Sequence, residues 1–84
     1  MYEPTFAVLK SFLDQLGFEL RIVPGSHILF SHPDVNVRIM LRLYEEGDKV
    51  EPSGLAYVRH TLDEWGIMER EQFDEQMRER SLAC

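Results

Sequence analysis

Apolar residues recur at helical spacing between Pro4 and Leu16, where Phe6, Leu9, Phe12, Leu13 and Leu16 form one stripe and Gly17 follows as a stop. Pro4 suits the first turn of such a helix, where its missing N–H leaves no bond unmade. From Phe18 to Val23 the period shortens to two. Phe18, Leu20 and Ile22 share one side while Glu19 and Arg21 share the other, the pattern of a half-buried strand. Pro24-Gly25-Ser26 carries turn chemistry: proline presets φ, glycine tolerates positive φ, and serine can bond its own backbone. His27 to Ser31 then reads as a second strand, closed by a turn at His32-Pro33-Asp34.

A third strand is expected from Val35 to Leu43 or Tyr44. Val35, Val37, Ile39, Leu41 and Leu43 alternate with Asn36, Arg38, Met40, Arg42 and Tyr44, so one face is apolar and the other open. Glu45 to Lys49 reads as a loop. Val50-Glu51-Pro52 leads into a helix capped by Ser53, with Leu55, Val58, Leu62 and Trp65 as its buried stripe and Gly66 at its end. A last helix, about 69–80, rests on Phe73 and Met77, with charges elsewhere and i,i+4 pairs such as Asp74 with Arg78. The expected class is α+β: a three-stranded antiparallel sheet with helices on one face, in the order α-β-β-β-α plus a C-terminal helix. Residues 1–84 form one domain, its core at about 5–67.

Charge narrows the function. Nine Lys and Arg against 15 Asp and Glu leave a formal charge of −6, which argues against a surface that grips nucleic acid everywhere but allows a local basic patch. The single cysteine, Cys84, permits no disulfide within the chain, which fits a reducing cytoplasm. No stretch has the apolar length to span a bilayer, and the first residues lack a signal-peptide pattern, so a cytoplasmic protein with no membrane partner is expected.

If Ile28 and Phe30 face the core, His27, Leu29 and Ser31 fall on the open face, together with Arg21, Arg38 and Arg42. An imidazole there can take or give a proton near neutral pH, and guanidiniums can hold a phosphate. The plainer reading has His27 opening a strand and bonding the turn's backbone. His32 falls on the side of Ile28 and Phe30 and suits a bond to backbone carbonyls across the turn. His60 lies opposite the helix stripe and is expected in solvent, with Arg59 at the stripe's edge. The histidines and carboxylates lack a metal-ligand spacing, so neither metal nor cofactor is expected.

Leu16-Gly17-Phe18, Val23-Pro24, Gly25-Ser26-His27 with Phe30 and His32-Pro33, Glu51-Pro52-Ser53-Gly54-Leu55 and Trp65-Gly66-Ile67 together resemble the HicA (YcfA-like) toxin family over about residues 9–67. The most specific piece is Gly25-Ser26-His27 followed by Phe30 and His32-Pro33. The resemblance implies a double-stranded-RNA-binding-domain-like fold and metal-independent mRNA cleavage, with His27 as the catalytic residue. It also implies neutralisation by a cognate antitoxin protein. On that reading Arg21, Arg38, Arg42 and Ser26 meet RNA, while Pro24 and Gly25 shape the turn. The chain departs from the family after the third strand. Relatives carry a Val-Pro-x-His-type segment there, and this chain has Ile39-Met40-Leu41-Arg42-Leu43-Tyr44. The alternative is a non-catalytic HicA-like domain whose acidic surface engages a protein, a second copy of the chain included.

Overall fold

The elements follow in the order α1 (Phe6–Gln15), β1 (Glu19–Val23), β2 (His27–Ser31), β3 (Arg38–Arg42), α2 (Pro52–Glu64) and α3 (Arg70–Leu82) in the computed structural model, which describes residues 4–82. Cys84 lies outside the described residues. The strands make one antiparallel sheet in the order β1-β2-β3, with Leu20 opposite Phe30 and Phe30 opposite Ile39. The expected α+β class and one-sided sheet are therefore present.

Helix α1 starts at Phe6 because Thr5 caps it, its hydroxyl accepting from the Val8 amide at 3.4 Å. Phe6, Leu9, Phe12 and Leu13 are buried along its inner face. The helix ends at Gly17, whose φ is +96°, and the chain turns back so that Phe18 N–H donates to the Leu13 carbonyl. A β-carbon on Gly17 would also sit 2.8 Å from Nε2 of His32. That imidazole is pinned at both nitrogens. Nε2 donates to the Leu16 carbonyl at 3.0 Å and Nδ1 accepts from the Asp34 amide at 3.1 Å, while the ring meets Phe18 edge-on. His32 thus ties the end of α1 to the end of β2. Gly17→Ala is expected to destabilise the domain by at least the roughly 1–2 kcal/mol that a left-handed residue with a β-carbon costs. A chemical-denaturation midpoint equal to that of wild type would contradict this.

The core lies between the sheet and the helices. Ile28, Phe30, Val37, Ile39 and Leu41 meet Leu9 and Leu13 of α1, Val58 and Leu62 of α2, and Phe73 and Met77 of α3. Phe12 joins α1 to α3 through an edge-on contact with Phe73 at 5.7 Å. The loop after β3 secures the start of α1: Phe6 and Ala7 donate their amides to the Asp48 and Glu46 carbonyls, and Lys10 pairs with the Glu46 side chain. The hydrogen bond from Lys10 holds the Glu46 carboxyl below the ordinary carboxylate range. Its contribution is present above that range and is lost as the pH falls through the lowered value.

Several expectations are corrected. The third strand is shorter than its alternation suggests, running only Arg38–Arg42, so Val35 and Leu43 end in solvent. Tyr44 does not continue the open face; it lies past the strand's end, partly buried at the edge of the core, with its ring stacked on Phe6 at 5.7 Å. Helix α2 begins at Pro52 with Glu51 as its N-cap, because proline is accepted at the first helical position, and Ser53 is inside the helix rather than capping it. Trp65 is 49% exposed at the C-cap of α2, past the last helical residue Glu64, and Leu55 is only partly buried. Apart from these corrections, Asp74 also pairs with Arg59 of α2, an ion pair between helices. His60 is exposed as expected, near Glu64 and Arg70.

Candidate functional site

The turn that presents His27 follows from its residues. Pro24 and Gly25, the latter at φ +73°, occupy the corner, and Ser26 N–H donates to the Val23 carbonyl at 3.0 Å. The chain re-enters the sheet at His27, directly opposite Val23 on one side and Arg42 on the other. Period-two alternation sends Ile28 and Phe30 into the core and leaves His27, Leu29 and Ser31 half-buried on the open face.

His27 is held on one side only. The Ser26 hydroxyl lies 2.7 Å from Nδ1 and shares a hydrogen bond with it. A hydroxyl both donates and accepts, so it can serve that nitrogen in either tautomer. Nε2 bonds no other described residue and is the nitrogen left for a ligand.

The register sorts the three arginines into rows. His27 stands between Val23 and Arg42; Leu29 stands between Arg21 and Met40; Ser31 stands between Glu19 and Arg38. At about 3.3 Å per residue, the Arg21 row is about 7 Å from His27 and the Arg38 row about 13 Å. Only Arg42 is therefore a direct neighbour. Arg21 and Arg38 flank a shallow cleft of about 380 Å³ with Glu19, Leu20, Leu29 and Ser31. Both are exposed and form no ion pair with another described residue.

Arg42 is engaged elsewhere. Its Nε donates to the Glu51 carboxylate at 2.8 Å, a terminal nitrogen donates to the Leu43 carbonyl, and the guanidinium lies 3.9 Å above the Tyr44 ring. The bond to Glu51 raises its pKa further, so it stays charged at any ordinary pH. Glu51 and Tyr44 are thus parts of the site that the sequence reading did not assign. Alternation placed Tyr44 on the open face, and Glu51 reaches Arg42 only because the loop folds back. Among the described residues no three His, Cys, Asp or Glu side chains converge as a metal site, and no helix is long and apolar enough to cross a membrane. No family model, curated protein or solved structure matches this chain.

Proposed function

We propose that the chain is a HicA-like endoribonuclease that cleaves mRNA on the open face of its sheet, with His27 as general acid and base. The observation that carries this reading is the state of His27: half-buried on the open face, steadied at Nδ1 by Ser26, and unoccupied at Nε2. The α-β-β-β-α order with helices on one face supports the double-stranded-RNA-binding-domain-like architecture that the sequence resemblance implies.

The chemistry needs few groups. With Nδ1–H donating to the Ser26 hydroxyl, the Nε2 lone pair takes the proton of an RNA 2′-hydroxyl. The 2′-oxygen bonds to the adjacent phosphorus, the bond to the 5′-oxygen breaks, and the proton on Nε2 passes to that oxygen. The products are a 2′,3′-cyclic phosphate and a 5′-hydroxyl. Arg42 is the cation nearest to the reacting phosphate, while Arg21 and Arg38, a row or two away, suit its neighbours along the strand. A neutralising antitoxin would cover this same face.

The test is purified protein incubated with RNA in EDTA. Cleavage is expected without added metal, with cyclic phosphate ends, and a 2′-deoxy substitution at the cut site should block it. Finding no cleavage of any RNA would defeat the reading. The net charge of −6 and the engagement of Arg42 by Glu51 favour a second reading, a non-catalytic protein-interaction domain, which would then stand.

Freeing Arg42 separates the two as well. Glu51→Gln should barely change stability, since both partners of the pair are solvent-exposed. It should tighten RNA binding and steepen the dependence of log K on log salt by about one unit, the mark of one added phosphate contact. An unchanged slope in a salt titration would show that Arg42 does not reach RNA.

A further inference from the structure

The two edges of the sheet differ. Along β3 the outer edge is met by α2, where the Met40 amide donates to the Tyr57 hydroxyl at 3.4 Å. Strand β1 forms the other edge, and beyond its ladder with β2 and the turn at Val23 its backbone bonds no described residue. Such an edge is a template for another strand. Its side chains are also unusual for a free edge. Leu20 and Ile22 lie on the core side of the sheet yet are 38% and 56% exposed. Leu20 borders an open cleft of about 410 Å³ between β1 and α1, lined also by Phe18 and Phe30. On the opposite face Glu19 and Arg21 protrude, and neither forms an ion pair with another described residue.

We propose that β1 is a homodimer interface, pairing antiparallel with β1 of a second copy about a two-fold axis centred on Leu20. The segment Glu19-Leu20-Arg21 is its own antiparallel complement. With Leu20 opposite Leu20 of the second copy, each Glu19 faces the other copy's Arg21, giving two opposite-charge pairs on the open face. On the other face each Ile22 falls opposite the other copy's Phe18, a lining residue of that cleft. Neighbouring registers lose this match. Centring on Arg21 sets arginine against arginine, centring on Glu19 sets glutamate against glutamate, and centring on Ile22 leaves Arg21 opposite Val23. The charge pattern therefore selects both the occupant and the register. The result is an isologous, closed dimer with a continuous six-stranded sheet. This pairing uses the edge of the sheet rather than His27; of the groups given to RNA in the proposed function it engages only Arg21, so dimerisation can be read without any RNA present.

Sedimentation equilibrium of the full chain over a wide concentration range tests it. Wild type should show a reversible monomer–dimer equilibrium. Arg21→Glu or Glu19→Arg, each reversing one member of both symmetric pairs, should weaken dimerisation about tenfold or more, with circular dichroism unchanged. The double variant Glu19→Arg/Arg21→Glu recreates both pairs in the opposite sense and should restore the wild-type equilibrium. A wild type that is monomeric at every concentration overturns the proposal. A dimer indifferent to either single reversal overturns it too, as does a double variant that fails to recover.

Discussion

His27→Ala is expected to lose about 10²–10⁴-fold in the rate of RNA cleavage, the usual worth of a positioned general acid or base. The fold should survive, because the side chain is only half-buried at the start of β2 and its hydrogen-bonding partner is the exposed Ser26 hydroxyl. Equal melting temperatures for variant and wild type would establish that the loss is chemical. Ser26→Ala should fall between the two, since it frees Nδ1 without removing Nε2. Arg38→Ala addresses binding instead. It should flatten the salt dependence of RNA affinity by about one unit, as expected for a lost phosphate contact two rows from the histidine. His60→Ala is the control: His60 sits on the outer side of α2 beside Glu64 and Arg70, away from the sheet. Wild-type cleavage by His27→Ala would remove the nuclease reading whatever the other variants did.

Ile39→Asp is expected to unfold the domain. Ile39 is fully buried in the middle of β3, opposite Phe30 of β2 and within the core shared by all three helices. A carboxylate there has no partner, and an unpaired buried charge costs several kcal/mol. The lost aliphatic packing adds to that cost. A domain of this size has about 5–15 kcal/mol of stability to lose. Far-ultraviolet circular dichroism should show a chain without a cooperative transition. Met40→Asp, one residue on and 55% exposed on the open face, should melt much as wild type does. A cooperative melt of Ile39→Asp at the wild-type temperature would mean that the strand's faces are assigned the wrong way round.

Much of this architecture was legible because it is written in local chemistry. The stripe of Phe6, Leu9, Phe12 and Leu13 could be laid down on one helical face before any partner was known, and all four are buried. Pro24-Gly25-Ser26 could be read as a turn from φ preferences alone, and it is one. The placement of His27, Leu29 and Ser31 on the open face followed from the single assumption that Ile28 and Phe30 point inward. Phe73 and Met77 sufficed to seat α3 even though most of that helix is charged.

The candidate site was legible only in its membership. Alternation put Arg21, Arg38 and Arg42 on the same face as His27, but it could not say which one stands beside it. Register decides that, and register is a property of strand pairs. The ties of Arg42 to Glu51 and Tyr44 were equally out of reach, because the ladder ends at Arg42 and the alternation that placed Tyr44 ends with it.

Within the strands and helices that form, periodicity alone assigns each residue its side, since helical and pleated periods are set by the backbone and hold wherever the element lies. It does not say where an element stops, and Tyr44 was misplaced for that reason. Tertiary structure decided what covers each side. Leu20 and Ile22 point toward the core as their spacing requires, yet they stay exposed because β1 is the edge that α1 does not fully shield. Trp65 fits the period of α2 but stands at its C-cap, where the helical period no longer places it, and is half exposed. Asp74 meets Arg59 across two helices because Phe73 and Met77 on α3 and Val58 and Leu62 on α2 share one core. Periodicity orients a side chain, but only the packing of elements distant in sequence buries it or gives it a partner.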